Sequence, residues 1–267
     1  MFSHRLARIA VLCALLAAGV TACASQNAVE KADAPAQLGS TGPGGLDVDT
    51  LSADQIVDQA KAVMASVTSV HVVGDVVTDG DRITADLSAD SSKNCTGTVS
   101  MGSIGTVQVI HTGAGTWMKP DDTYWASIAG KEGGGPQSGA KIAELFKGRY
   151  LVIGQGNADL KQLTAMCDLV GAIAGDKSKS IGATKGGSVT VNGVKTLSIT
   201  LPDDSAPTNL YIATEGKPYL IRMESGGKEA SHYNFSDFDK PLPVQAPPVD
   251  QVIDFSVFAQ EVKSASA

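Results

Sequence analysis

Three of the four histidines, a scatter of carboxylates and one aromatic-rich stretch are the side chains in this 267-residue chain with types suited to catalysis. His71, His111 and His232 all fall in stretches with strand periodicity, where a histidine is an ordinary face residue. None has a metal partner at helical i,i+4 spacing, and no HExxH occurs. The nucleophile elbow GxSxG is absent, as is SxxK with its companion motifs. VIGQGN, at 152–157, lacks the strand–GxGxxG–helix frame of a phosphate loop and reads as a turn. Asp121-Asp122 and Asp203-Asp204 neighbour prolines and read as solvated turn acids. DVDTLSADQIVD alternates acids but lacks the glycine and the position-twelve glutamate of a calcium loop. TWMKPDDTYW, with Trp117, Tyr124 and Trp125, is either a platform at a cavity mouth or a hairpin whose aromatics fill the core edge. We favour the hairpin. These residue types suggest a protein that is not an enzyme and needs no metal or cofactor.

The cysteines say more. Residues 1–8 carry Arg5 and Arg8 and no acid, the following twelve are almost wholly apolar, and small residues come next. That is a secretory signal, too short for a spanning helix, which needs about 20 residues. Its end, Val20-Thr21-Ala22-Cys23, resembles the bacterial lipobox. Cys23 is therefore expected to carry a diacylglycerol and to become the first mature residue. Two acyl chains anchor stably where one holds only marginally. Cys13 leaves with the signal, so Cys95 and Cys167 remain. An even pair in an exported domain is expected to be oxidised, against the alternatives of two buried thiols or an incomplete zinc shell.

Removing residues 1–22 leaves 19 basic against 28 acidic side chains, a net charge of −9. Such a balance argues against nucleic acid and against a polybasic membrane patch. Residues 23–50 are rich in Ala, Gly, Ser and Pro, a composition that buries little apolar surface, and read as a flexible tether. Residues 51–250 suffice for one domain with a sizeable core, and 251–267 read as a C-terminal tail.

The elements that position these residues follow from periodicity. In LSADQIVDQAKAVMASVTSV, Ser52 and Gln55 form a capping box. Ile56, Ala60, Val63, Met64 and Val67 share one helical face, so this helix must lie on something apolar. The period then becomes two, with an Asp79-Gly80 hairpin signal and breaks at 102–105 and 113–115, giving a meander of about five strands. AGKEGGGPQSGA reads as a loop, KIAELFKG and NADLKQLTAMCDLVGAIAG as helices, and most of 195–236 as strands again. The expected class is α+β: one strongly curved antiparallel sheet with helices on its concave side.

The capped helix running into SVHVVGDV, the strands with WMKPDDTYW and KGRYLVIG, and the closing YNFSDFDKPLPVQAPP together resemble the LppX/LprAFG group of actinobacterial lipoproteins. That group is related in fold to the LolA and LolB carriers. The resemblance covers about residues 50–250 and implies a half-barrel with helices across its opening that holds acyl chains. It implies an extracytoplasmic, membrane-anchored protein whose ligand is a lipid or glycolipid. No ligand-binding residue and no protein partner can be named from it. The alternative is a cell-envelope interaction or sensor module with a packed core.

Overall fold

The computed structural model describes residues 45–78, 80–131, 136–153, 167–168, 170–171, 180–202 and 206–254. The first helix, α1 (Ala53–Met64), starts where the capping box requires. Ser52 Oγ accepts from the Gln55 N–H, and the Gln55 side chain accepts from the Ser52 N–H at 2.8 Å. Its buried face carries Ala53, Ile56, Val57, Ala60 and Met64, while Val63 is only half-buried.

Among the described residues twelve strands form one sheet: β1 (Ser69–Thr78), β2 (Asp81–Asp90), β3 (Cys95–Ser100), β4 (Thr106–Thr112), β5 (Gly115–Pro120), β6 (Tyr150–Val152), β7 (Thr184–Val191), β8 (Val194–Leu201), β9 (Thr208–Ala213), β10 (Leu220–Ser225), β11 (Ser231–Ser236) and β12 (Val252–Asp254). Their order is β12-β6-β5-β4-β3-β2-β1-β11-β10-β9-β8-β7. The expected five-strand meander is β1 to β5. Its first hairpin pairs Thr78 with Asp81 around the Asp79-Gly80 position. Every pairing is antiparallel except β12 on β6. Thus the segment set off as a tail contributes residues 252–254 to the sheet, and the last tether residues touch the domain. There the Leu46 N–H donates to the Thr214 carbonyl at 3.0 Å, and the Leu46 side chain is buried.

Two stretches fold differently from the sequence expectation. TWMKPDDTYW is a strand followed by a helix, not a hairpin: β5 ends at Pro120 and α2 (Asp122–Lys131) begins at once. Asp121 is the cause. One carboxylate oxygen accepts from the Tyr124 N–H at 2.8 Å, satisfying a first-turn amide. The other accepts from the Thr106 N–H at 2.9 Å and ties the helix start to β4. Asp121 is thus a half-buried cap rather than a solvated turn acid. The Gly-rich loop is also shorter than expected, because Pro136 opens a third helix, α3 (Pro136–Phe146). Proline is tolerated in a first turn, where its missing N–H has no partner to lose. Gly139 then lets α3 approach α2 closely, since a Cβ there would come within 2.6 Å of the Ala126 backbone.

Side chains alternate between the sheet's two faces. Followed across the register, Ile253, Leu151, Met118, Val109, Gly97, Leu87, Val72 and Phe235 make an unbroken apolar row on one face. Among the described residues, α1, α2 and α3 all lie on that face. Under α1, Ile56 and Val57 meet Leu197, Ile199, Leu210 and Ile212. At the other end Trp125 of α2 stacks on Phe146 of α3, 4.9 Å between rings, above Leu151 and Met118. Of the aromatics in this stretch Trp125 fills the core, while Trp117, on the strand face of Lys119, is buried on the opposite side of the sheet.

Candidate functional site

The apolar inner face carries the first set of candidate residues. Cys95 opens β3 on this face, and Cys167 is bonded to it, with 5.3 Å between their Cα atoms and a sequence separation of 72. Both are fully buried against Ala89, Val107 and Val109. An ion pair beside them, Lys93 Nζ to Asp168 at 2.9 Å, makes a second link between the same two segments. Three residues on, Val170 packs with Met64, Val67, Val70 and Phe235. The helix expected over NADLKQLTAMCDLVGAIAG otherwise lies outside the described residues, as do Asp203-Asp204, most of VIGQGN, and Cys23 with the whole signal.

The α1 half of this face is filled. Ile56, Ile199 and Ile212 have no solvent exposure, and Ser52 and Gln55 hold the helix end against fraying. Helix α1 is fastened to the segment before β7 as well: Asp54 accepts from the Ala183 N–H and Asp58 from the Ser180 N–H. His111 belongs to the inner face too. Its Nδ1 lies 2.7 Å from the Thr116 hydroxyl, and burial pushes its pKa down.

On the opposite face, which no described helix covers, the same register carries polar side chains. Lys119, Gln108, Thr98, Asp86, Val73, Asn234, Arg222, Tyr211 and Ser198 form one row, broken by a single apolar residue. Thr84, Asp75, His232, Glu224 and Asn209 form the next. His71 Nε2 sits 2.7 Å from Asp86 Oδ1, Arg82 pairs with Asp75, and His232 lies between Asp75 and Glu224 at 3.8 and 3.9 Å. An open trough of about 250 Å³ runs between these rows, bounded by Val73, Asp75, Thr84, Asp86, His232 and Asn234. A second hollow of about 340 Å³ lies at the sheet rim beside Ser69, Asp90 and Lys240. Neither of these two lies between sheet and helices.

All three strand histidines occupy strands, as their periodicity suggests, but the sequence did not show that His71 and His232 share a face with Asp75, Asp86 and Glu224. His71 and Asp86 are 15 residues apart, and His232 lies much farther from Asp75 in the chain, so only strand register joins these pairs. Among the described residues no group of three His, Cys, Asp or Glu side chains is placed to hold a metal ion, and no helix is long and apolar enough to cross a membrane. The rim carries one more constellation. Asp239 accepts from the Thr68 N–H at 2.9 Å and from the Tyr219 hydroxyl at 2.9 Å, and these bonds hold its carboxyl at about 2. Tyr219 in turn stacks on Phe238, 4.1 Å between ring centres.

The chain matches no protein-family profile and no curated protein sequence. Its fold does have solved counterparts. LprF from Mycobacterium bovis superposes with a TM-score of 0.50 at 14% identity, over 73% of this chain and 96% of that one. The Mycobacterium tuberculosis lipoprotein LppX aligns at 15% identity over 72% of this chain and 98% of that one, with a TM-score of 0.42. The fold assignment rests on LprF: this chain is an α+β half-barrel of the LprF type, one open, curled, antiparallel-dominated sheet with its helices on one face.

Proposed function

We propose that the chain is a membrane-anchored, extracytoplasmic lipoprotein that binds or carries a hydrophobic envelope molecule, a lipid or glycolipid, between its sheet and its helices. The observation that carries this reading is the apolar inner row, eight strands wide and free of charge from Ile253 to Phe235. Such a surface holds an acyl chain by burial alone, at about 0.8 kcal/mol per CH₂, and needs no catalytic group. We therefore read a binding protein rather than an enzyme. Cys23 carries the diacylglycerol in this proposal, and residues 24–44 give the domain reach from the membrane. The shared fold with LprF and the sequence resemblance to the LppX/LprAFG lipoproteins support the same conclusion.

Side chains fill the α1 half, and toward β1–β5 the inner-face residues Val72, Leu87, Ala89 and Val109 are buried as well. This filling is the observation favouring a packed interaction module instead. Native mass spectrometry with solvent extraction separates the two. The anchorless chain is exported from an actinobacterial host and weighed before and after exposure to an envelope lipid extract. A co-purifying lipid at near-stoichiometric load is expected. A clean apo mass in both states would overturn the carrier reading and leave the packed module.

A further inference from the structure

We infer that the face of the sheet that no described helix covers is a docking platform for a neutral polysaccharide, with the trough at Val73 as its central subsite. This does not rest on the lipid-carrier reading, because it concerns the opposite face of the sheet. A polar outer face alone would be the ordinary state of an antiparallel sheet. Three further features point to a glycan.

The trough has the size and the mixed lining that one sugar ring requires. Its volume is about 250 Å³, and Val73, 40% exposed, is an apolar spot on its floor between Asp86 and Asn234. A pyranose ring presents C–H groups on its flat face and hydroxyls around its edge. Val73 meets the first, while Asp86, Asn234, His232 and Thr98 meet the second. Each hydroxyl both donates and accepts. Carboxylates supply acceptors only, whereas Asn, His and Thr supply both.

The rows continue beyond the trough. On one side lie Gln108 and Lys119, and on the other Arg222 and Tyr211, all in register with Val73. Neighbouring strands stand about 4.8 Å apart, so the row from β5 to β9 presents polar groups at that interval over about 34 Å. An extended polymer with regularly repeated hydroxyls can lie along it, perpendicular to the strands.

The charge pattern selects a neutral partner. Asp75, Asp86 and Glu224 stand against Arg82 and Arg222 on the same patch. Asp86, 62% exposed, repels phosphate, sulfate or uronate, and the two arginines disfavour a cationic chain. The ion pairs already present are no obstacle. His71–Asp86 and Arg82–Asp75 each include a side chain more than 60% exposed, and such pairs contribute little, so sugar hydroxyls can replace them.

Affinity electrophoresis of the full chain tests this, in native gels cast with hydroxyethylcellulose or with dextran sulfate, and with serum albumin as a non-binding marker. Retardation that rises with hydroxyethylcellulose and is absent with dextran sulfate is expected. Asp86→Ala and Val73→Glu, each shown to be folded by near-ultraviolet circular dichroism, should weaken it at least tenfold. Both positions are exposed on the sheet, so neither change disturbs the core. No retardation by the neutral polymer would overturn the proposal. Unchanged retardation of both variants would overturn it too, as would equal retardation by dextran sulfate.

Discussion

Replacing both Cys95 and Cys167 by alanine should cost this domain about 4 kcal/mol. The bond closes a 72-residue interval. In the chain-entropy treatment, closing such a loop removes about 15 cal/mol/K from the unfolded ensemble, about 4.4 kcal/mol at 25 °C. Alanine is the apt replacement because both sulfurs sit among Ala89, Val107 and Val109. Serine would bury a hydroxyl with no evident acceptor, at a further cost of about 1–3 kcal/mol. The surface pair Lys93–Asp168 spans the same two segments but adds at most a few tenths, since both partners are well exposed. The assay is thermal and urea unfolding followed by the fluorescence of Trp117 and Trp125, both buried. For a domain of this size each kcal/mol moves the melting temperature by about 2–4 °C, so a drop of roughly 10–15 °C is expected. The urea slope should rise slightly as the unfolded chain expands. A loss below about 1 kcal/mol would refute the reasoning, because it would mean that the 95–167 interval is held together in the unfolded chain without the bond.

Other perturbations test separate parts of the account. Cys23→Ala should move the protein from the membrane fraction to the soluble fraction, and a variant that stayed membrane-bound would sink the anchor. Ile56→Ala, at a fully buried position on α1, should destabilise by about 3–4 kcal/mol in urea titrations, while Ser52→Ala should cost about 1 kcal/mol through the lost cap. Asp239 has a folded pKa of about 2, below its unfolded value near 3.9, so its bonds to Thr68 and Tyr219 add stability above pH 4 that fades as pH falls toward 2. The stability gap between wild type and Asp239→Asn should therefore close across that window. A gap that persisted at pH 2 would show that the charge is not what matters there.

Much of the molecule was legible in local chemistry. Ser52 and Gln55 announced α1, Asp79-Gly80 announced the first hairpin, and period-two alternation announced β1 to β5, because each depends on contacts a few residues apart. Asn192-Gly193 was an equally strong hairpin signal for β7 and β8, with φ of 50° and 81°, yet β7 was missed. Its Gly186-Gly187 bulge and seven exposed residues erase the alternation. Strand β12 was missed as well, since three residues after a proline run carry no period of their own. The hairpin expected for TWMKPDDTYW failed because Asp121 has two partners. One is the local Tyr124 amide, and the other, the Thr106 amide, lies 15 residues back.

The sequence by itself gave rise to the expectations of an export signal and of an anchor at Cys23, the pairing of Cys95 with Cys167, and the α+β class, all matters of composition and short-range spacing. Only the tertiary structure decided that the sheet runs from β12 to β7 with every described helix on one face. It also decided that Asp75, Asp86, His71 and His232 meet on the other. The physical reason is strand register. A shift of one residue turns every side chain to the opposite face, and register is set by cross-strand partners that lie far apart in the chain.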